Sequence, residues 1–238
     1  MKYLYTILTI ALLLPSFASA GIQDGLIGWF TLDRRDISKG VVVDKSGSGH
    51  SANLLSIASS TFYSSGKMAE SGRFDGADDY MNAGTDFLGV SALTVSAWIY
   101  PTSYGEVSAG IVINNGPAKL NVAGDFSRVR WTNNGLTQGS SANNTVLLNR
   151  WTHVMVTRTS ANITNIYING VQNGTANMSS GSTGATTTAT ENVGIGNNNA
   201  RNRTFEGKID DVRVYNKALS ASEVRQLYRF SLSKHLTI

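Results

Sequence analysis

Leu93-Thr94-Val95-Ser96-Ala97-Trp98-Ile99-Tyr100-Pro101 is the stretch that decides the fold class. Leu93, Val95, Ala97 and Ile99 alternate with Thr94, Ser96, Trp98 and Tyr100. Successive side chains of a strand point to opposite faces, so this period of two makes one apolar face and one face of larger amphipathic groups. Trp151 to Thr159 repeats the idea, with Val154 and Val156 on one side. Ile209, Val212 and Val214 form a third such strand, with a local irregularity expected at Asp210-Asp211. Shorter candidates are Gly28–Leu32, Gly72–Phe74, Tyr80–Ala83, Gly110–Ile113, Ser127–Trp131 and Asn192–Gly196.

Turn signals separate these strands. Ile166-Tyr167-Ile168 runs into Asn169-Gly170 and out to Val171. Asn and Gly take positive φ at low cost, so this reads as a tight hairpin. Asn115-Gly116, Asn134-Gly135 and Asn173-Gly174 are weaker turn signals. Ser179–Thr190 holds only small and polar residues and reads as a loop. Roughly ten to twelve short strands with such turns imply a sandwich or a barrel. One helix is expected, near the end. Ser220 and Glu223 form an S-x-x-E capping box, Leu219 and Val224 a hydrophobic staple, and Val224, Leu227 and Tyr228 an apolar stripe.

Composition narrows the chemistry. Only 15% of the residues are charged, while glycine alone numbers 24, the profile of strands and turns rather than helices. Zero cysteines exclude thiolate metal sites and cysteine nucleophiles. The net charge of +4 is spread along the chain, and Arg34-Arg35 is the longest basic run, so no nucleic-acid partner is expected.

The chain starts with Met1-Lys2, an apolar stretch from Leu4 to Leu14, Pro15, and then Ala18-Ser19-Ala20. These are the three parts of a secretory signal peptide, too short to span a bilayer. The expected organisation is a leader at residues 1–20, one domain at 21–230 and a flexible tail at 231–238. Export to the medium or cell surface follows (the periplasm in a Gram-negative bacterium), with no membrane insertion of the mature chain.

Seven local patterns occur in order. They are Gly25-Leu26-Ile27-Gly28-Trp29-Phe30-Thr31-Leu32-Asp33, Asp44-Lys45-Ser46-Gly47-Ser48-Gly49-His50, and Phe74-Asp75-Gly76-Ala77-Asp78-Asp79-Tyr80. Leu93 to Pro101, Trp151-Thr152-His153-Val154, Tyr167-Ile168-Asn169-Gly170 and Gly207 to Asn216 with Ala218-Leu219-Ser220 complete the set. Together, from Gly25 to Tyr228, they resemble the laminin-G-like jelly rolls of the concanavalin A-like lectin/glucanase superfamily. That resemblance implies an all-β, two-sheet antiparallel jelly-roll sandwich with one short C-terminal helix. It leaves the function open, because the fold hosts lectins, glucanases and interaction modules. It also implies a structural Ca²⁺ joining the first strand to the last, with Asp33 and Asp210 as the positions carried over and Asp44 of the adjacent turn as a third candidate ligand. The same aspartates can instead cap turns through their own backbone, and both readings stand at this point.

The residues favour binding over catalysis. Glucanases of this fold carry acidic residues at alternating positions of one strand, and no strand here has them. Asp75, Asp78 and Asp79 cluster on a turn, and Glu106, Asp125, Glu191 and Glu206 are isolated. His50 lies in a turn, His153 in an apolar strand and His235 in the tail, so no triad is suggested. No catalytic residue is therefore assigned. Sugar sites combine an aromatic platform with amides and charged groups. Tyr104 and Trp131 are the candidate platforms, and Asn198 and Arg201 the candidate donors, in a polar loop that also holds Arg203. Trp98 and Trp151 match core positions of the family. The expected partner is a glycan or surface polysaccharide; a protein partner is the alternative, and a glycosidase a third reading.

Overall fold

The structure is a computed structural model that describes residues 19–57, 59–85, 87–105, 108–114, 118–124, 127–133, 136–177 and 192–233. In chain order the strands are β1 (Leu26–Phe30), β2 (Ile37–Ser38), β3 (Val41–Val42), β4 (Ala52–Leu55), β5 (Tyr63–Ser65) and β6 (Glu70–Asp75). Then come β7 (Tyr80–Asn82), β8 (Leu93–Pro101), β9 (Ala109–Asn114), β10 (Lys119–Ala123), β11 (Arg128–Asn133) and β12 (Leu136–Ser140). The last five are β13 (Thr152–Arg158), β14 (Ile163–Ile168), β15 (Val171–Asn177), β16 (Val193–Ile195) and β17 (Glu206–Tyr215). Helix α1 (Ser19–Gln23) and α2 (Ser59–Phe62) are single turns, and α3 (Ala221–Ser233) closes the chain. No helix among the described residues is long and apolar enough to cross a membrane.

Two antiparallel sheets result. One runs β15-β14-β13-β8-β17-β6-β5, with β1 also on β17; the other runs β12-β11-β10-β9-β16-β7-β4-β3-β2. Strand β8 lies at the middle of the first sheet, and the alternation read from its sequence is what puts it there. Val95, Ala97 and Ile99 join Val154, Val156, Ile209, Val212 and Val214 on the inner face. Leu120, Val122, Val129, Trp131, Val193 and Ile195 meet them from the other sheet. Each such aliphatic side chain, buried from water, contributes about 1.5–3 kcal/mol.

The local signals behave as physics requires. Asn169 and Gly170 both have positive φ, 51° and 75°, which makes the β14–β15 hairpin tight. The irregularity in β17 is a bulge: the register against β8 shifts between Asp210 and Arg213, and Asp211 takes φ 47°. It restores the parity that keeps both Ile209 and Val212 in the core. Ser220 N–H donates to Glu223 Oε2 (2.7 Å) and Glu223 N–H to Ser220 Oγ (3.3 Å), closing the capping box. Leu219, Val224 and Leu227 then seat α3 on the outer face of the first sheet, against Met155, Tyr167 and Tyr215.

Two expectations come out differently, and a third holds. Asn173-Gly174 is strand, not turn, and Gly174 is needed because a Cβ there would lie 2.0 Å from Ser140 O. Trp98 is a packing residue as expected, buried beneath α3 with its ring 5.7 Å from Tyr228. Helix α3 continues to Ser233, where a tail from 231 was expected; Ser231 is buried and donates to Tyr228 O at 2.6 Å. Most of the leader (residues 1–18), the Asn115-Gly116 and Asn134-Gly135 turns, the 179–190 loop and His235 lie outside the described residues.

Candidate functional site

The two outer faces of the sandwich are treated differently. On the first sheet α3 covers outward groups that include Trp98 of β8, Met155 of β13 and Tyr215 of β17. On the nine-stranded sheet, outward groups of β9 to β12 line a groove of about 210 Å³ with Ser108 and Arg203 at its rim. Strand parity explains its lining. Leu120 and Val122 of β10 and Val129 and Trp131 of β11 turn into the core, so Lys119, Asn121, Arg130 and Thr132 turn outward. The register sets Lys119 opposite Thr132 and Asn121 opposite Arg130, which places both cations within one diagonal of the ladder. On the other side of β10, Lys119 faces Ile113 and Asn121 faces Gly110. A Cβ on Gly110 would stand 2.2 Å from Ile113 Cδ1 and 3.0 Å from Arg203 O, so glycine keeps that floor open. Thr137 of β12 supplies the far wall.

A loop delivers the third cation. Fully buried Asn197 accepts through Oδ1 from Asn198 N–H (2.9 Å) and Arg203 N–H (3.1 Å). Asn198 accepts from Asn202 N–H (3.0 Å) and donates back to Asn202 Oδ1 (2.9 Å). Gly110 N–H donates to Arg203 O at 2.8 Å, tying the loop to β9. The asparagines thus fold the loop on itself and set Arg203 over the groove. Burial, and then the charge of Arg203, holds the Lys119 ammonium below its ordinary pKa. At the floor, Asn121 is 2% exposed and its Nδ2 has no hydrogen-bond partner. No carboxylate is among the lining residues described.

The expected ligand residues fall elsewhere. Trp131 is fully buried in the core, because the parity that turns Arg130 and Thr132 outward turns it inward, so it is not a platform. Tyr104 is half-buried against the core and donates its hydroxyl to Val146 O at 2.9 Å. Asn198 is buried and occupied by its own loop. Arg201 is exposed and turns from the groove toward Asp78, 3.5 Å away. The residues missed are Lys119, Arg130 and Asn121; Arg203 was noticed only as part of the loop. Nothing local in the sequence marks the first three, since each is an ordinary outward position of a short strand.

The expected calcium set does not fit one ion. Asp44 accepts from Trp29 N–H (2.9 Å), Ser46 N–H (2.9 Å), Ser46 Oγ–H (2.8 Å) and His50 N–H (3.0 Å). Burial pushes its carboxyl up, but these donors outweigh burial and hold it below the ordinary value. Asp33 Oδ1 accepts from Glu70 N–H and Oδ2 from Arg35. Asp210 Oδ2 accepts from Lys67 and Met68 N–H groups, both at 2.8 Å, leaving only its buried Oδ1 without a partner. Burial and the charges of Asp211 and Asp33 push the Asp210 carboxyl well above its ordinary value. One open oxygen falls short of the six to eight that calcium takes. Among the described residues only Asp75, Asp78 and Asp79 bring three ligand atoms within 4.8 Å. That is an acidic turn using its own backbone: Asp79 Oδ2 accepts from Asp75 N–H and Asp75 Oδ1 from Ala77 N–H. Burial, then the charges of Asp75 and Asp78, raise Asp79 to about 6.

Residues 75–225 match the laminin G family model described as the concanavalin A-like lectin/glucanases superfamily. No curated protein sequence matches the chain. Among solved structures it is similar to domain 4 of AbnA, a GH43 extracellular arabinanase from Geobacillus stearothermophilus, solved in complex with arabinotriose. That match has 19% identity and a TM-score of 0.63, over 85% of this chain and 98% of that one. It is similar also to the binding domain of Paraclostridial Mosquitocidal Protein 1, at 16% identity and TM-score 0.62, over 87% of this chain and 52% of that one. A third is the botulinum neurotoxin serotype G binding domain, at 16% identity and TM-score 0.64, over 86% and 51%. The chain spans about half the length of those toxin domains. At these identities the likeness establishes the fold.

Proposed function

We propose, from the premise that this chain belongs to the concanavalin A-like lectin/glucanase superfamily, that it is an exported, non-catalytic module that binds carbohydrate. The observation that carries this reading is the groove on the nine-stranded sheet. Its lining is almost entirely hydrogen-bonding groups, Ser108, Asn121, Thr132 and Thr137 with Lys119, Arg130 and Arg203, on a rigid ladder of strands. Rigid donors converging on one polar groove suit a ligand made of hydroxyls and ring oxygens. The arabinotriose complex of the arabinanase domain supports a saccharide as the ligand class.

The absence of a glycosidase site among the described lining residues supports the non-catalytic part. Hydrolysis needs two carboxylates flanking the bond, about 5 Å apart for retention and wider for inversion. The groove lining supplies none. The Asp75-Asp78-Asp79 turn has the spacing, but its oxygens hold its own backbone and Arg201. Export rests on the leader-like first twenty residues.

The test is a binding screen of the purified chain against polysaccharides, run with Ca²⁺ and again with a chelator, alongside a reducing-sugar assay. Binding in both conditions with no new reducing ends is the expected result. Release of reducing sugar would overturn the non-catalytic part. No binding to any saccharide by a folded chain would overturn the reading and favour a protein partner.

A further inference from the structure

We propose that the groove takes an anionic saccharide, holding a carboxylate or sulfate group between Lys119, Arg130 and Arg203 over the Asn121 amide; this rests on the carbohydrate reading of the same groove. Three cations and an amide donor converge there, with no acidic side chain in the described lining. Like charges brought together repel, and nothing in the core requires it: Lys119, Asn121 and Arg130 are all outward positions.

The individual groups behave as parts of an anion seat. Lys119 is half-buried, and among the described residues its side-chain ammonium makes no ion pair and no hydrogen bond. The nearby Arg203 charge and burial both disfavour its ammonium, a cost that an incoming anion removes. Asn121 is nearly closed off, yet its Nδ2 lacks an acceptor; a buried donor without a partner is costly, and a ligand oxygen satisfies it. Arg203 is positioned deliberately. Its backbone is clamped by Asn197 Oδ1 and Gly110 N–H, which leaves the side chain at the rim as the variable part. A neutral sugar would satisfy the amide but would leave the Lys119 ammonium facing the Arg203 charge. An anionic group satisfies both, and its bonds to charged donors are about twice as strong as neutral ones.

The experiment uses the purified chain and four probes: polygalacturonate for carboxylates, dextran sulfate for sulfates, and dextran and arabinan as neutral controls. Wild type is compared with Lys119→Gln, Arg203→Gln and Asn121→Asp. Among the described residues the Lys119 ammonium has no partner to lose, and Arg203→Gln gives up one exposed bond from Nη1 to Asn202 O (2.9 Å) while the backbone bonds to Asn197 Oδ1 and Gly110 N–H stay, so the first two keep the melting temperature within a few degrees. Asn121→Asp places a negative charge among the cations, repels an anionic ligand and keeps the side-chain shape. The expected result is binding to one or both anionic probes, which also names the anion, with the neutral probes much weaker. Each Gln variant then weakens binding roughly tenfold, as loss of a charge-assisted bond does, and Asn121→Asp weakens it at least as much. Raising salt from about 0.05 to about 0.5 M also weakens it, by screening. Arabinan binding that the Gln variants leave untouched overturns the anionic inference while the carbohydrate reading stands. Anionic binding insensitive to all three variants overturns it too, by placing the seat elsewhere. Binding to none of the probes overturns the inference for these anions, and the wider polysaccharide screen then decides the parent reading.

Discussion

His153→Phe isolates the energetic consequence of covering one sheet with a helix. His153 sits on β13, 1% exposed, with its ring 5.1 Å from Trp98 and 5.6 Å from Tyr228 of α3. Its Nδ1 has no hydrogen-bond partner. Burial lowers its pKa from 6.5 to about 4; Asp211 opposes the shift and Arg213 adds to it. The folded value is depressed, so below 6.5 the unfolded chain binds a proton that the folded chain refuses until about pH 4. Stability from this group is therefore intact above 6.5, is lost as pH falls, and levels off below about 4. A gap of about 2.5 units corresponds to about 3 kcal/mol, of which about 2 is gone by about pH 5. Phenylalanine keeps a flat ring and removes the proton. Urea unfolding of both proteins at several pH values between about 7.5 and 4.5 gives the difference in stability, provided the m-value stays constant. Taking the difference cancels Asp79 and Asp210, whose raised pKa values act in the opposite sense and lose stability as pH rises. The variant should gain on the wild type steadily as pH falls. A difference that stays flat would mean His153 takes up no extra proton on unfolding, and the account of its burial would be wrong.

Trp131→Ala should cost about 3–5 kcal/mol, because it empties a fully buried indole site. Its melting temperature should drop by roughly 10 °C, while the folded protein binds its saccharide as tightly as wild type in an isotherm. Chelator should leave the wild-type melting temperature unmoved, since only one oxygen of the Asp33, Asp44 and Asp210 carboxylates lacks a donor. Asp210→Asn keeps an acceptor for the Lys67 and Met68 N–H groups. The wild type loses stability as pH rises above the ordinary carboxyl value of 3.8 and the amide does not, so thermal melts should favour the variant increasingly as pH rises from there. Asp44→Ala strips an acceptor from Trp29, Ser46 and His50 at once. It should cost about 2–4 kcal/mol in denaturant melts, with Asp44→Asn recovering part of the loss.

What the sequence disclosed was whatever rests on local rules. Alternation over nine residues located β8, the Asn169-Gly170 pair fixed one hairpin, and the S-x-x-E box set the start of α3. The broken spacing of Ile209, Val212 and Val214 foretold the β17 bulge. Strands β2 and β3 are two residues each, too short to show a period, and are defined only by pairing with each other and with β4. Trp131 is ambiguous in the sequence for a related reason. An indole near a strand end is equally compatible with a platform and a core, and only the parity of β11 decides between them.

The groove was illegible for a different reason: it is a property of register, not of residues. Lys119 and Arg130 meet because β10 and β11 pair with Lys119 opposite Thr132; a slip of one residue would send Arg130 inward and Trp131 out. The register of β10 against β9 shifts between Leu120 and Asn121, and that irregularity brings Gly110 beside Asn121 and opens the floor. Arg203 arrives from some seventy residues further along, and only because Gly110 N–H reaches Arg203 O. The opposite sheet shows what happens when such a face is closed. There Arg213 is fully buried, but Asp211 bonds it at 3.1 Å and the Trp29 ring stacks on it at 4.5 Å. A cation that the fold itself uses is given a carboxylate. Among the described residues Lys119 has been given none, and that contrast between the two faces is the strongest reason to look for its counter-charge in a ligand.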